Sequence, residues 1–258
     1  MNIKQRTEEL YPQLVRIRRE LHQHPEPGFK EHWTSAYICG LLDEWGISYE
    51  FPVAGTGIVA MIQGEKPGSG NTVALRADMD ALPLTEDISR PFCSLHPGHM
   101  HACGHDAHVA IALGTARILM ESRSEWSGCV KFFFQPAEET LAGSKSIIDS
   151  GLADDVDEMM GLHIRPKEEL GVGQASPAVY HGASSRADII VRGRSAHGAR
   201  PQQGINAVEA AVAIVNAVNM IRVDPRVSHS VKVTRFFGGG KAVNIIPDKA
   251  EISFDMRA

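Results

Sequence analysis

Residues 72–80 read Thr72-Val73-Ala74-Leu75-Arg76-Ala77-Asp78-Met79-Asp80, an apolar run closed by two acids. Its length and the Gly70-Asn71 pair before it predict a buried strand over 72–77, with the acids just past its end. Downstream, Cys103-Gly104-His105-Asp106 opens a stretch in which Val109, Leu113, Ala116 and Met120 recur at helical spacing, so a helix is expected over 106–121. Strands are expected over 58–63, 128–134 and 157–164, with a helix over 143–150 between the last two. Upstream, Leu10, Leu14, Ile17 and Leu21 mark an amphipathic helix that stops before Pro25, and a second helix is expected over 34–45. Strands alternating with helices predict an α/β domain on a largely parallel sheet flanked by helices.

The pattern changes near Pro177. A strand over 187–191, an Ala- and Val-rich helix over 204–222, and strands over 228–237 and 250–256 predict a smaller α+β domain. The expected division is 1–178 and 179–258.

Of the 258 residues, 43% are hydrophobic and 22% charged, and the formal net charge is -5. This is globular usage, and the acidic balance without a basic face argues against a nucleic-acid partner. The most apolar segment, 207–221, is interrupted by Glu209, Asn216 and Asn219 and is too short to span a bilayer. The charged N-terminal stretch lacks an apolar signal core, so a cytoplasmic protein is expected. The four cysteines have irregular spacing, which argues against a disulfide framework. Cys39, Cys93 and Cys129 read as packing residues.

Four motifs fall where an open α/β sheet places its chemistry, beyond strand ends or at a helix N-terminus. They are Asp78-Met79-Asp80, Cys103-Gly104-His105-Asp106, Glu138-Glu139 after Phe132-Phe133-Phe134-Gln135-Pro136-Ala137, and His163 after Met159-Met160-Gly161-Leu162. A thiolate with imidazoles and carboxylates suits Zn²⁺ or Mn²⁺ better than Ca²⁺ or Mg²⁺. Consecutive glutamates let one ligate while the other handles a proton, the division that metal-assisted hydrolysis requires. Asp78 and Asp80 either cap a turn or orient a histidine from behind. His22, His24, His32, His181 and His229 show no partner and read as structural or exposed. Two tempting motifs fail on context. Gly55-Thr56-Gly57 leads into a strand where a dinucleotide fingerprint needs a helix, and Gly238-Gly239-Gly240-Lys241 is followed by Ala242 where a phosphate loop needs Ser or Thr.

Together the motifs resemble the aminoacylase-like metallopeptidases, in the branch of hippurate hydrolases, indoleacetyl-amino-acid hydrolases and N-acyl-amino-acid amidohydrolases. The resemblance runs in order through Arg18-Arg19-Glu20-Leu21-His22 with Pro25-Glu26, Gly55-Thr56-Gly57, 75–83, 100–108, 134–139, Gly161-Leu162-His163, 195–201 and Asn244-Ile245-Ile246-Pro247. It implies two divalent metal ions, Zn²⁺ or Mn²⁺, with Cys103, His105, Glu139 and His163 as ligands, Cys103 bridging, and Glu138 as general base. Asp78, Asp80 and Asp106 would support the ligands from behind. The first domain would be catalytic. The second would be a lid that also forms a homodimer, with His197 stabilising the oxyanion in the partner's site and Asn244 holding substrate. The expected substrate is a small N-acyl amino acid.

One departure accompanies the resemblance. The family's catalytic domain resumes after the lid and supplies a last metal histidine, whereas this sequence stops at a lid strand, so an incomplete lid and low activity of the chain alone are expected. Two other readings compete: a thiol hydrolase using Cys103, and a fragment that binds a metal or a partner without turnover.

Overall fold

The computed structural model describes residues 1–68, 70–87, 90–177 and 182–258. It divides into two compact units, Met1–Gly171 and Val172–Ala258. The expected boundary after residue 178, and His181 with it, lie outside the described residues.

In the first unit, α1 (Ile3–Gln23) and α2 (His32–Glu44) precede β1 (Ser48–Val53), β2 (Gly57–Gln63), β3 (Thr72–Asp78), α3 (His105–Glu121), β4 (Cys129–Gln135), α4 (Gly143–Asp149) and β5 (Glu158–Gly161). The sheet order is β1-β2-β4-β3-β5. The α/β expectation holds, and parallel pairing is confined to β4-β3-β5; β2 runs antiparallel to β4, and β1 to β2. Strand β1 escaped the periodicity because Pro52 interrupts it, which suits its edge position and the register shift between Glu50 and Val53.

The three consecutive phenylalanines of β4 show how the sheet divides its faces. Phe132 and Phe134 join Ile17, Leu21, Ile38, Leu42 and Leu113 on the side of α1, α2 and α3, while Phe133 packs with Val59, Ala74 and Ile147 on the side of α4. All three are buried, so β4 is a central strand with both faces covered. Register then fixes the site. Asp78 lies opposite Gln135, and Arg76 opposite Gly161, so the segments after β3, β4 and β5 leave the sheet at one edge.

The second unit holds β6 (Ser184–Arg192), β7 (Ala196–His197), α5 (Ala207–Asn219), β8 (Ser230–Gly238), β9 (Ile245–Ile246) and β10 (Lys249–Arg257). Strand β10 is central and antiparallel to β6 and β8, with Ala250, Ile252 and Phe254 packed against Ala207 and Ala211 of α5. Helix α5 begins later than its apolar pattern, because the Asn206 side chain accepts the Val208 and Glu209 amides as an N-cap. Strands β7 and β9 are two residues each, too short for any periodic signal.

Candidate metal centre

Helix α3 presents its N-terminus to the edge where β3, β4 and β5 end. Gly104 enters the helix at φ +89°, a conformation that favours glycine, and a Cβ there would also push on the Ile164 side chain. The next residue, His105, is fully buried. Its Nδ1–H donates to the Asp80 carbonyl at 2.9 Å, with Asp80 Oδ1 at 3.3 Å, and its Nε2 has no partner; in the neutral ring Nε2 is the nitrogen free to ligate. That Nε2 lies 3.8 Å from Glu139 Oε1, 3.9 Å from Glu138 Oε2 and 3.6 Å from Asp78 Oδ2. Glu139 Oε1 is also buried and unpartnered.

On the other side, Cys103 Sγ is 3.3 Å from His163 Nε2, and His163 Nδ1–H donates to the Ile164 carbonyl at 2.5 Å. Donor atoms of Cys103, His105 and His163 lie within 4.8 Å of one another, as do those of His105, Glu138 and Glu139. A divalent cation fits this set. Two buried atoms lack partners, each costing about 1–3 kcal/mol if left so, and the donors are the thiolate, imidazole and carboxylate that borderline metals take.

A third grouping, Asp78, His105 and His108, is less suited. His108 Nδ1–H donates to Asp78 Oδ1 at 2.6 Å while its Nε2 accepts the Ile164 amide at 3.0 Å, so both ring nitrogens are engaged. His108 thereby ties the end of β3 to the segment carrying His163. Sequence reasoning gave it no role, although its i,i+3 spacing from His105 places both on one face of α3.

The charges match this geometry. Burial works against a charged His105, but the hydrogen bond to Asp80 and the influence of Cys103 and Asp78 push it up to about 11. The pocket therefore favours positive charge at the position of the orphaned Nε2. Burial would raise the Asp78 carboxyl, yet His108, His105 and Arg76 together hold it below its ordinary value. Glu138 moves the other way, raised by burial and by Glu139. His101, 4% exposed with both ring nitrogens unpartnered, is lowered by burial to about 4 and is neutral.

Asp106 turns away from this cluster. It accepts His22 Nδ1–H at 2.6 Å and the Ala107 amide at 2.9 Å, and forms an ion pair with Arg18 Nε at 2.9 Å. His22, read from sequence as partnerless, is 2% exposed and also donates from Nε2 to Glu86 at 3.0 Å.

The remaining predicted residues lie in the second unit. His197 and Asn244 come together where β7 meets β9: His197 pairs with Ile245, and the Gly198 amide donates to the Asn244 carbonyl at 2.7 Å. His197 Nδ1 accepts the Ala199 amide at 3.1 Å, so the neutral ring carries its proton on the outward Nε2. The four cysteines are free. Among the described residues, no helix is long and apolar enough to cross a membrane.

The chain is similar to known proteins. An Arabidopsis thaliana IAA-amino acid hydrolase ILR1-like 5 is 40% identical over 258 residues, covering 97% of this chain and 58% of its own length. A Bacillus subtilis N-acetylcysteine deacetylase is 35% identical over 251 residues, covering 96% and 65%. The crystal structure of a Bacillus subtilis dinuclear metal-binding peptidase of the M20 family superposes with a TM-score of 0.77 at 34% identity, over 97% of this chain and 65% of that one. The chain spans 56 to 66% of the length of the curated relatives it matches. The profile of peptidase family M20/M25/M40 matches residues 74–254, and the chain belongs to that family.

Proposed function

We propose that this protein is a two-metal amidohydrolase that cleaves the amide bond of small N-acyl amino acids. The carrying observation is the pair of buried orphan atoms, His105 Nε2 and Glu139 Oε1, facing each other beside the Cys103–His163 contact. Cys103, His105, Glu139 and His163 would hold the divalent ions. When bound, such ions act as Lewis acids and lower the pKa of a water to about 7.

Glu138 then takes the proton of the attacking water on a carboxylate oxygen and delivers it to the amine nitrogen that leaves. Its raised carboxyl supports this, since a base with a higher pKa accepts and returns a proton more readily near neutrality. Asp80 keeps the His105 proton on Nδ1, so Nε2 is available as a ligand. The second unit serves as lid and dimer surface. The outward Nε2–H of His197 suits an oxyanion donor, and Asn244 beside it would hold substrate. The acyl-amino-acid substrate class is supported by relatives named as an N-acetylcysteine deacetylase and an IAA-amino acid hydrolase.

The Cys103–His163 contact also suits a thiol nucleophile with its base, but that chemistry leaves His105 Nε2 and Glu139 Oε1 unexplained. Turnover of acetyl-, benzoyl- and indoleacetyl-amino acids should disappear with a chelator and return with Zn²⁺ or Mn²⁺. Activity that survives complete metal removal would overturn the proposal in favour of the thiol.

A further inference from the structure

The Glu138–Glu139 pair sits on an unusual piece of backbone. Ala137, the residue before it, has φ +52°, a left-handed conformation that alanine rarely adopts. Three successive amides follow from this turn, and each ends on a buried carboxylate. The Ala137 amide donates to Glu31 Oε1 at 2.8 Å, the Glu138 amide to Asp80 Oδ1 at 3.0 Å and the Glu139 amide to Asp80 Oδ2 at 3.0 Å. Successive amides turned to one side form a concave anion cradle. Here the cradle is filled from inside the protein by two side chains.

Asp80 already belongs to the cluster through His105. Glu31 does not. It lies just before α2, distant in sequence from the metal centre, and is completely buried. Its second oxygen accepts the Thr56 hydroxyl at 2.5 Å, so one carboxylate joins the 55–57 loop to the turn after β4. The packing leaves no slack around this link. A Cβ on Gly28 would lie 2.9 Å from Ala137 Cα, and one on Gly57 would lie 2.8 Å from Pro136 Cδ. Burial raises the Glu31 carboxyl, and nearby Asp80 adds to the effect, while Thr56 and Ala137 oppose it. A carboxylate in so unfavourable a place is retained for what it binds.

We propose that Glu31 is a positioning residue: by gripping the Ala137 amide it holds the left-handed turn that aims Glu139 at the metal ligands and Glu138 at the reacting water. The proposal rests on the reading of Glu139 as a metal ligand and Glu138 as a base. It also accounts for the Gly55-Thr56-Gly57 motif, to which the chemistry assigns no part. Thr56 orients Glu31, and Gly57 lets the strand pass against Pro136.

Three variants of the full chain test this by Zn²⁺ titration. Glu31→Gln keeps an oxygen for the Ala137 amide and turns an N–H toward the Thr56 hydroxyl, so it should bind Zn²⁺ within about threefold of wild type. Glu31→Asp is one methylene shorter and cannot span both partners. Its Zn²⁺ affinity should fall about 10- to 100-fold, the range for lost support of a ligand. Ser35→Ala is the control, because its hydroxyl contacts the Glu31 and Thr56 carbonyls but nothing on the turn; it should lose stability and keep its affinity.

A folded Glu31→Asp with wild-type affinity, or a Ser35→Ala as impaired as Glu31→Asp, would overturn the proposal. If Glu31→Asp does not fold, hydrogen exchange on the wild type decides. The Ala137 amide should exchange as slowly as those of β4, and fast exchange would show that Glu31 does not hold it. Wild type that binds no Zn²⁺ would refute the metal reading instead, and the exchange measurement would still judge the grip on Ala137.

Discussion

His105 and Asp106 are adjacent at the first turn of α3, yet they enter two buried polar clusters of opposite character. The Asp106 side is closed: His22 bridges Asp106 and Glu86, Arg18 adds a second cation to Asp106, and the other Glu86 oxygen accepts the Ser94 amide at 2.7 Å. The His105 side is open, with Nε2 and Glu139 Oε1 left without partners. A cluster whose donors and acceptors are matched needs nothing more and serves to hold the chain in place. The His105 cluster is more open to solvent at Cys103, Glu138, Glu139 and His163, yet it keeps buried orphan atoms and is destabilising until a cation joins it. The contrast separates framework from chemistry without reference to any relative.

The largest expected effect lies on the open side. Glu138→Gln should keep its metal and lose on the order of 10² to 10⁴ in turnover of an N-acyl amino acid, the usual worth of a positioned proton carrier. Glu139→Gln should instead release metal, as measured by metal analysis of the purified variant. The opposite pattern would exchange the two roles.

Next in size is the response to metal itself. If the open cluster is the binding site, Zn²⁺ or Mn²⁺ at about 100 times Kd should raise the unfolding free energy by about 2.7 kcal/mol. Cys103→Ala should blunt that gain. Asp106→Asn should lower stability yet retain the gain, since its partners lie on the closed side. An equal loss of metal response in Asp106→Asn and Cys103→Ala would mean that the two clusters are not separable.

Much of this was legible in the sequence because the motifs stand at strand ends and a helix start, where periodicity also fixes the elements. Patterning put Asp78 at the end of β3, Cys103 before α3 and Glu138 beyond β4, whereas the strand expected over 157–164 ends at Gly161 and leaves His163 in the segment after it. What stayed hidden depends on distant pairing. Glu31 lies in a short polar loop, and nothing local tells that its oxygen meets Ala137, 106 residues away. His22 had no visible partner because Asp106 and Glu86 are 84 and 64 residues distant. Antiparallel placement of β1 and β2 was likewise not encoded in alternation, which reports burial and not direction.

The smallest predicted effect concerns the closed cluster and pH. His22 Nδ1 meets both Asp106 Oδ2 at 2.6 Å and Arg18 Nη2 at 3.3 Å, and the shorter contact is the one to the carboxylate; with Nε2 on Glu86, both nitrogens donate and the ring is an imidazolium. Burial opposes that charge, but Asp106 and Glu86 raise the His22 pKa above 6.5. A raised value stabilises the fold fully below the unfolded pKa, and the contribution is lost as pH rises through the folded one. Asp106 and Glu86 are lowered: burial opposes the shift in both, while His22 and Arg18 outweigh it in Asp106, and the Ser94 amide and His22 in Glu86. Their contributions are present above the ordinary carboxylate range and lost on acidification through the folded values. All three therefore act together between about pH 4.5 and 6.5. Replacing His22 by Phe leaves Glu86 without its ring partner and Asp106 with Arg18 and the Ala107 amide, and should lower unfolding free energy in urea by on the order of 3 kcal/mol at pH 5.5. By pH 8.5 the difference between wild type and His22→Phe should be smaller, because wild type has begun to lose the imidazolium contribution. A difference that stays constant, or widens toward pH 8.5, would show that His22 is held as a neutral ring and that the closed cluster is not the charge-matched framework described above.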